Sequence, residues 1–160
     1  MAKTIRYEMD YDAPVERVAE MLGDPAFRER VCEYQGALRH DVSIEADGDT
    51  KGVRIEMVQP TSGVPSFAKK IVGDETTVVQ EETWTSLVEA DITVTIPGKP
   101  GDMTGTAVLE ATADGGTVET VELVVKVKIP LVAGKLEGLI ADLLLKALKA
   151  EHHVGRDYLS

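Results

Sequence analysis

Chemistry needs polar or titratable side chains held away from water, so the informative residues are polar ones that stand in phase with apolar neighbours. His40 alternates in phase with Leu38 and Val42, Gln59 with Ile55 and Met57, and Gln80, Glu82 and Trp84 with Val78. On a strand, residues two apart share a face. His40 or Glu82 inside a dry pocket would have the chemistry of a general base, and a carboxyl among apolar side chains would hold its proton to higher pH. The plainer reading is structural. An inward His, Gln or Glu then meets a protein partner or a water, Trp84 packs in the core, and of Glu81 and Glu82 one faces solvent while the other marks the strand's end. A β-bulge would shift every such register.

Other constellations carry less. His152 and His153 are adjacent, so on a helix they diverge by about 100° and cannot chelate one ion as an i, i+4 pair could; no metal site is expected. Cys32, the only cysteine, falls between Val31 and Glu33 inside a helical pattern rather than at a helix start, and reads as packing. No G-x-S-x-G occurs, and Gly98, Gly101 and Gly105 do not follow a strand in a βαβ unit. Hydrolase and dinucleotide fingerprints are therefore unsupported, no cofactor is expected, and no catalytic residue is assigned.

Composition narrows the partners. Seventeen basic and twenty-eight acidic side chains in 160 residues give a formal charge of -11, the wrong sign for affinity to phosphate backbones, so no nucleic acid is expected. The same charge disfavours anionic membrane surfaces, with Lys69-Lys70 as a minor basic exception. No apolar run approaches the roughly eighteen residues of a membrane span, so no stable membrane insertion is expected. The start, Met1 to Arg6, lacks the apolar stretch of a secretory signal, and a single cysteine suits a reducing compartment, so the expected location is the cytoplasm. A chain of this length suits one domain, 1–160, that buries roughly 70% of its unfolded surface.

The elements that must position these residues follow from period and turn chemistry. Ile5, Tyr7, Met9 and Tyr11 alternate with polar residues over 4–11, a half-buried strand. Asp12-Ala13-Pro14 then starts a short helix through Val15, Val18, Ala19 and Leu22, and Pro25 opens a second with Phe27, Val31 and Tyr34 on one stripe and Gly36 as its stop. From Ala37 the period is two: a hairpin around Asp47-Gly48-Asp49, a connection over 60–75 with one helical turn, and strands from Thr76 to Thr85, Leu87 to Ile96, Met103 to Ala113 and Thr117 to Ile129. Turns at Pro97 to Gly101 and Asp114-Gly115-Gly116 separate them. About seven strands result. After Pro130, from Val132 to Leu159, the period returns to 3.6. Leu136, Leu139, Ile140, Leu143, Ala147, Val154 and Tyr158 form one arc, widened by Leu144 and Leu148, with Lys135, Asp142, Lys146, Lys149 and Arg156 opposite. Glu151 lies within the apolar arc, His152 at its edge and His153 on the polar side.

The run Tyr7-Glu8-Met9-Asp10-Tyr11-Asp12-Ala13-Pro14-Val15-Glu16-Arg17-Val18, followed by Asp24-Pro25, resembles the opening of START-like, or SRPBCC, proteins, which include Bet v 1-like proteins and polyketide cyclases. The order of elements resembles their α+β helix-grip fold across the whole chain, a curved antiparallel sheet around a long carboxy-terminal helix. Glu82-Thr83-Trp84 and the lone final helix resemble an uncharacterised actinobacterial family within that superfamily.

The resemblance implies a cavity between sheet and final helix that takes a hydrophobic or amphipathic small molecule, a lipid or polyketide-like compound. Its lining would be His40, Met57, Gln80, Glu82, Trp84, Ile140, Leu143, Leu144, Ala147 and Glu151. A non-enzymatic binding protein is the leading expectation. A cyclase or hydratase using His40 or Glu82 as general base is the second, and an interaction module with a filled core, hinted at by Leu145 and Leu159, the third. Either monomer or homodimer is compatible with all three.

Overall fold

The computed structural model describes residues 2–99 and 101–160; Met1, and Pro100 in the turn expected between Pro97 and Gly101, lie outside the described residues. Strand β1 (Ala2–Tyr11) leads into helices α1 (Val15–Leu22) and α2 (Pro25–Tyr34). Strands β2 (Arg39–Asp47) and β3 (Thr50–Pro60) precede helix α3 (Ser66–Val72). The chain continues through β4 (Glu75–Trp84), β5 (Glu89–Thr95), β6 (Asp102–Ala111), β7 (Thr117–Lys126) and helix α4 (Ala133–Leu159). The strands form one antiparallel sheet in the order β1-β7-β6-β5-β4-β3-β2. This is the expected α+β helix-grip architecture.

Local chemistry sets the boundaries. Asp24 caps α2 by accepting from the Ala26 amide at 2.9 Å, with Pro25 preset for the first helical position. The expected last strand runs to Ile129, yet β7 stops at Lys126 because the Glu137 carboxylate, from the start of α4, accepts from the Val127 amide at 2.9 Å and takes it from the ladder. Similarly β6 ends at Ala111 where Thr112, Asp114 and Gly116 close a turn on themselves. The connection between β3 and β4 holds a seven-residue helix rather than one turn.

Two glycines let the sheet curve and the helix settle. In β6, a Cβ on Gly105 would fall 2.8 Å from the Glu122 carbonyl carbon and 2.9 Å from Leu123 Cα, so the strands approach there as only glycine permits. In α4, a Cβ on Gly155 would lie 2.8 Å from the Tyr11 ring. Gly155→Ala should therefore cost about 1–3 kcal/mol through overpacking, read as a lower urea midpoint with unchanged slope; an unchanged midpoint would mean that the ring yields freely.

That close approach also corrects the expected face of α4. Its fully buried residues are Leu136, Glu137, Ala141, Ala150, Glu151, His152, Val154 and Gly155, whereas Leu143 is 45% exposed. The buried side is rotated from the leucine-rich arc towards Glu137, Ala141 and Gly155, because α4 packs on β1, β7, α1 and α2 with Tyr11 under Gly155. His152, expected at the edge, is buried and donates from Nε2 to the Asp10 carbonyl at 2.9 Å, while His153 stacks on Tyr34 at the surface, centroids 4.8 Å apart. Among the described residues, no helix is long and apolar enough to cross a membrane.

Candidate functional site

On α2, Arg28 follows Phe27 and precedes Cys32 by one helical turn, so the helix face that packs inward carries a guanidinium with it. Arg28 is 2% exposed. Its Nε donates to the Leu22 carbonyl at 2.9 Å, at the end of α1 where free carbonyls concentrate negative charge. Nη2 and Nη1 donate to the two oxygens of Glu82 on β4 at 2.7 and 3.1 Å, and Nη1 also donates to Glu151 Oε1 on α4 at 3.0 Å. One side chain thus joins α1, α2, the sheet and the final helix.

Glu82 is buried and its acceptor capacity is full. Besides both Arg28 bonds it accepts from Trp84 Nε1 at 2.9 Å and from Gln80 Nε2 at 2.6 Å, its in-phase neighbours two residues to either side. Burial by itself would raise its pKa, but the Arg28 charge and these hydrogen bonds outweigh burial and hold it below the ordinary carboxylate range. A saturated, ionised carboxylate has no lone pair left to take a proton from a substrate. This removes Glu82 as a general base and corrects the reading in which one of Glu81 and Glu82 simply ended the strand.

The third carboxyl is Glu119 on β7, in register with Met9 of β1 and Leu109 of β6 and 3% exposed. Its Oε1 has no hydrogen-bond partner among the described residues. Burial, then the charges of Glu151 and Glu82, push its pKa well above the usual value. Glu151 is likewise pushed up by burial, against the pull of Arg28, to about 7. Glu119, Glu151 and Glu82 therefore surround one fully buried cation, so the cluster keeps protons that free carboxyls would have lost. Burial pushes the Cys32 thiol up to about 11, which leaves it protonated and in the packing role expected of it.

A cleft of about 50 Å³ opens beside this cluster, lined by Arg28, Val31, Cys32, Gln35, Ile55, Met57, Gln80, Ala147, Leu148 and Glu151. A larger groove of about 400 Å³ lies at the turn end of the β2–β3 hairpin, lined by Glu45, Ala46, Asp47, Thr50, Lys51, Gly52, Thr83 and Trp84. That groove is shallow and hairpin-walled. Its one cation, Lys51, is engaged with the Ala19 carbonyl at 3.4 Å and lies 4.5 Å from the Trp84 ring centroid. The smaller cleft is the candidate site, because apolar walls there end on titratable groups.

Of the ten side chains expected to line the cavity, the structure places Met57, Gln80, Ala147 and Glu151 together on the cleft. Glu82 stands directly behind Gln80, and Trp84 is buried under Lys51 as Glu82's donor rather than a platform for a ligand. His40 lies on the inner side of β2, in register with Met57 but outside the cleft lining, and its buried Nδ1 has no partner among the described residues. It stands opposite Met57 while Glu82 stands opposite Val53, four residues away along β3, so the two candidate bases do not converge on one point. Ile140 and Leu144 are half-buried against the core, and Leu143 faces solvent because of the rotation of α4.

Two members of the cluster escape a reading of the sequence stretch by stretch. Glu119 could have been found, since Thr117, Glu119, Val121, Leu123 and Val125 alternate in phase. Arg28 had only a weak signal, its place beside the Phe27–Val31 stripe. Among the described residues no cluster of His, Cys, Asp and Glu is arranged to hold a metal ion.

With this geometry in hand, comparison with known proteins is informative. The family described as "Protein of unknown function (DUF2505)" matches residues 6–159. An uncharacterized protein of Mycobacterium tuberculosis (strain H37Rv) is 28% identical over 163 residues, covering 94% of this chain and 93% of its own. Among solved structures, the Zhui aromatase/cyclase from Streptomyces sp. R1128 superposes with a TM-score of 0.68 at 11% identity, over 99% of this chain and 94% of that one. A START superfamily protein from Mycobacterium smegmatis superposes with a TM-score of 0.62 at 12% identity, over 98% and 99%. At such identities the likeness is one of fold, the START-like helix grip.

Proposed function

The chain belongs to the DUF2505 family of proteins of unknown function, and we propose that it binds an amphipathic small molecule in the cleft between α2, β3, β4 and α4. The observation that carries this reading is the mixed lining of the cleft: Val31, Ile55, Met57, Ala147 and Leu148 make apolar walls, Gln35 adds an amide, and the buried Arg28 and Glu151 with Gln80 form its inner polar end. Apolar walls supply affinity through desolvation, at about 25 cal/mol per Å² buried, and the polar end supplies orientation. The Zhui protein of the same fold is an aromatase/cyclase, in keeping with a fold that handles small molecules.

As it stands the cleft is nearly closed. Its volume of about 50 Å³ exceeds the share of one water, about 30 Å³, but falls well short of the roughly 300–1,000 Å³ of ligand pockets. Entry therefore requires α4 to lean outwards. Its carboxy-terminal half is pinned by Glu151 to Arg28, His152 to Asp10, and Tyr158 to Asp24 at 2.6 Å. The stretch 142–149, over the cleft, makes no hydrogen bond or ion pair to other elements among the described residues, and beyond it only Glu137 ties the helix to Val127. Pivoting about the pinned end costs that one bond and the apolar contacts of Leu136, Ala141 and their half-buried neighbours.

The test is titration with Nile red, a neutral amphipathic dye. A saturable, one-site rise in emission is expected, and Ala147→Phe should weaken it about tenfold or more by filling the cleft, with melting temperature recorded alongside. Absence of saturable binding, as a protein with a simply filled core would give, or equal binding by a folded Ala147→Phe protein, would overturn the reading.

A further inference from the structure

Resting on that cleft, we propose that the ligand's leading polar group is a protonated amine, which docks on the Glu151 carboxylate at the inner end. Hydrogen-bond capacity decides the sign. The cleft's only cation, Arg28, already spends four N–H groups on Leu22, Glu82 and Glu151, and its bidentate grip on a buried carboxylate leaves an incoming anion no comparable partner. An anion there would also face the charges of Glu82 and Glu151 in a poorly screened interior. Arg28 keeps a single N–H, whereas the carboxyl beside it keeps an unfilled oxygen. Glu151 is engaged only through Oε1, and the Gln80 amide donates once to Glu82 and keeps its carbonyl oxygen.

A primary ammonium group offers three donors and one positive charge, which matches this surplus. It would fill the free oxygens of Glu151 and Gln80 and add a second positive charge where Glu82 and Glu151 share one arginine. A hydroxyl offers one donor and no charge, and a carboxylate offers no donor and the opposite charge.

The experiment is displacement of Nile red by three chain-matched probes: octylamine, octanol and octanoate. Octylamine should displace the dye at a concentration about tenfold or more below octanoate, with octanol between. Glu151→Gln should cut the octylamine affinity about tenfold and leave octanol nearly unchanged. Octanoate matching or exceeding octylamine, or a Glu151→Gln protein that keeps the amine preference, would overturn the proposal while the cleft reading stands. If Nile red binds but none of the three displaces it, the amine is refuted as well; if Nile red itself fails to bind, the cleft reading falls first. The wild-type ranking of amine against carboxylate carries the test even if Glu151→Gln proves unstable.

Discussion

Arg28→Met should destabilise the protein by about 3–5 kcal/mol at neutral pH, the largest single-residue effect expected of this chain. The expectation does not rest on the intrinsic strength of a buried ion pair, which desolvation largely cancels. It rests on what the substitution leaves behind: Glu82 and Glu151 closed off from water with their shared cation gone, and the Leu22 carbonyl without its donor. The orphaned carboxyls can escape part of the penalty by taking up protons, so the loss should be smaller at pH 5 than at pH 7.5. Removing the pair together, as in Arg28→Met with Glu82→Leu, should cost less than Arg28→Met alone. Arg28→Lys should fall between, because an ammonium keeps the charge but loses the planar fork. Urea unfolding followed by Trp84 emission is apt, since the only tryptophan donates to Glu82 itself. A loss below about 1 kcal/mol for Arg28→Met would show that the cluster is not the hub that its hydrogen bonds describe.

Stability should fall as pH rises from about 5 towards 7, the opposite of a protein held by surface carboxylates, and Glu119→Gln should flatten that fall. The sign follows from proton counting. Glu119 and Glu151 have folded pKa values raised above the unfolded one, by burial first and neighbouring charge second, with Glu151 at about 7. Below the unfolded value both states hold the proton and nothing changes. Above it the unfolded chain has released a proton that the native state keeps, so each further pH unit costs about 1.4 kcal/mol per such group until the folded value is passed. Glu82 acts in the opposite sense. Its lowered pKa gives stability that is present above the unfolded value and lost as pH falls through the folded one. Together these limbs put the optimum on the mildly acidic side. Glutamine at 119 keeps the shape and has no proton to lose, so Glu119→Gln should be more stable than wild type at pH 7 by about 1 kcal/mol or more and near parity at pH 5. Equal slopes in the two proteins, measured in the same salt, would sink the idea.

Much of the architecture was legible because it depends on local rules. Alternation over β1, the prolines that open α1 and α2, the Asp-Gly turn between β2 and β3, and the 3.6 period after Pro130 each report a backbone preference that the tertiary structure respects. Where boundaries moved, a partner distant in sequence was responsible, as when Glu137 drew Val127 out of the last strand. The candidate site was legible in part. The in-phase positions of Gln80, Glu82 and Trp84 marked a polar spot on an apolar face, and Glu151 stood out within an apolar arc. Their meaning was hidden, because Glu82 reads as a free acid until Arg28, 54 residues earlier in the chain, is seen to fill it.

The sequence by itself determined the helix-grip order of elements, the acidic balance and the absence of familiar catalytic fingerprints, since these follow from periodicity, turn residues and charge count. Only the tertiary structure decided which side of α4 is buried, because that depends on how closely Gly155 can approach Tyr11 rather than on where the leucines lie. It also decided the protonation of the interior. A carboxyl's pKa is set by how much water it has lost and which charges face it, and four elements distant in sequence, α2, β4, β7 and α4, had to meet before Glu82 could be held as an anion while the pKa of Glu119 was pushed up.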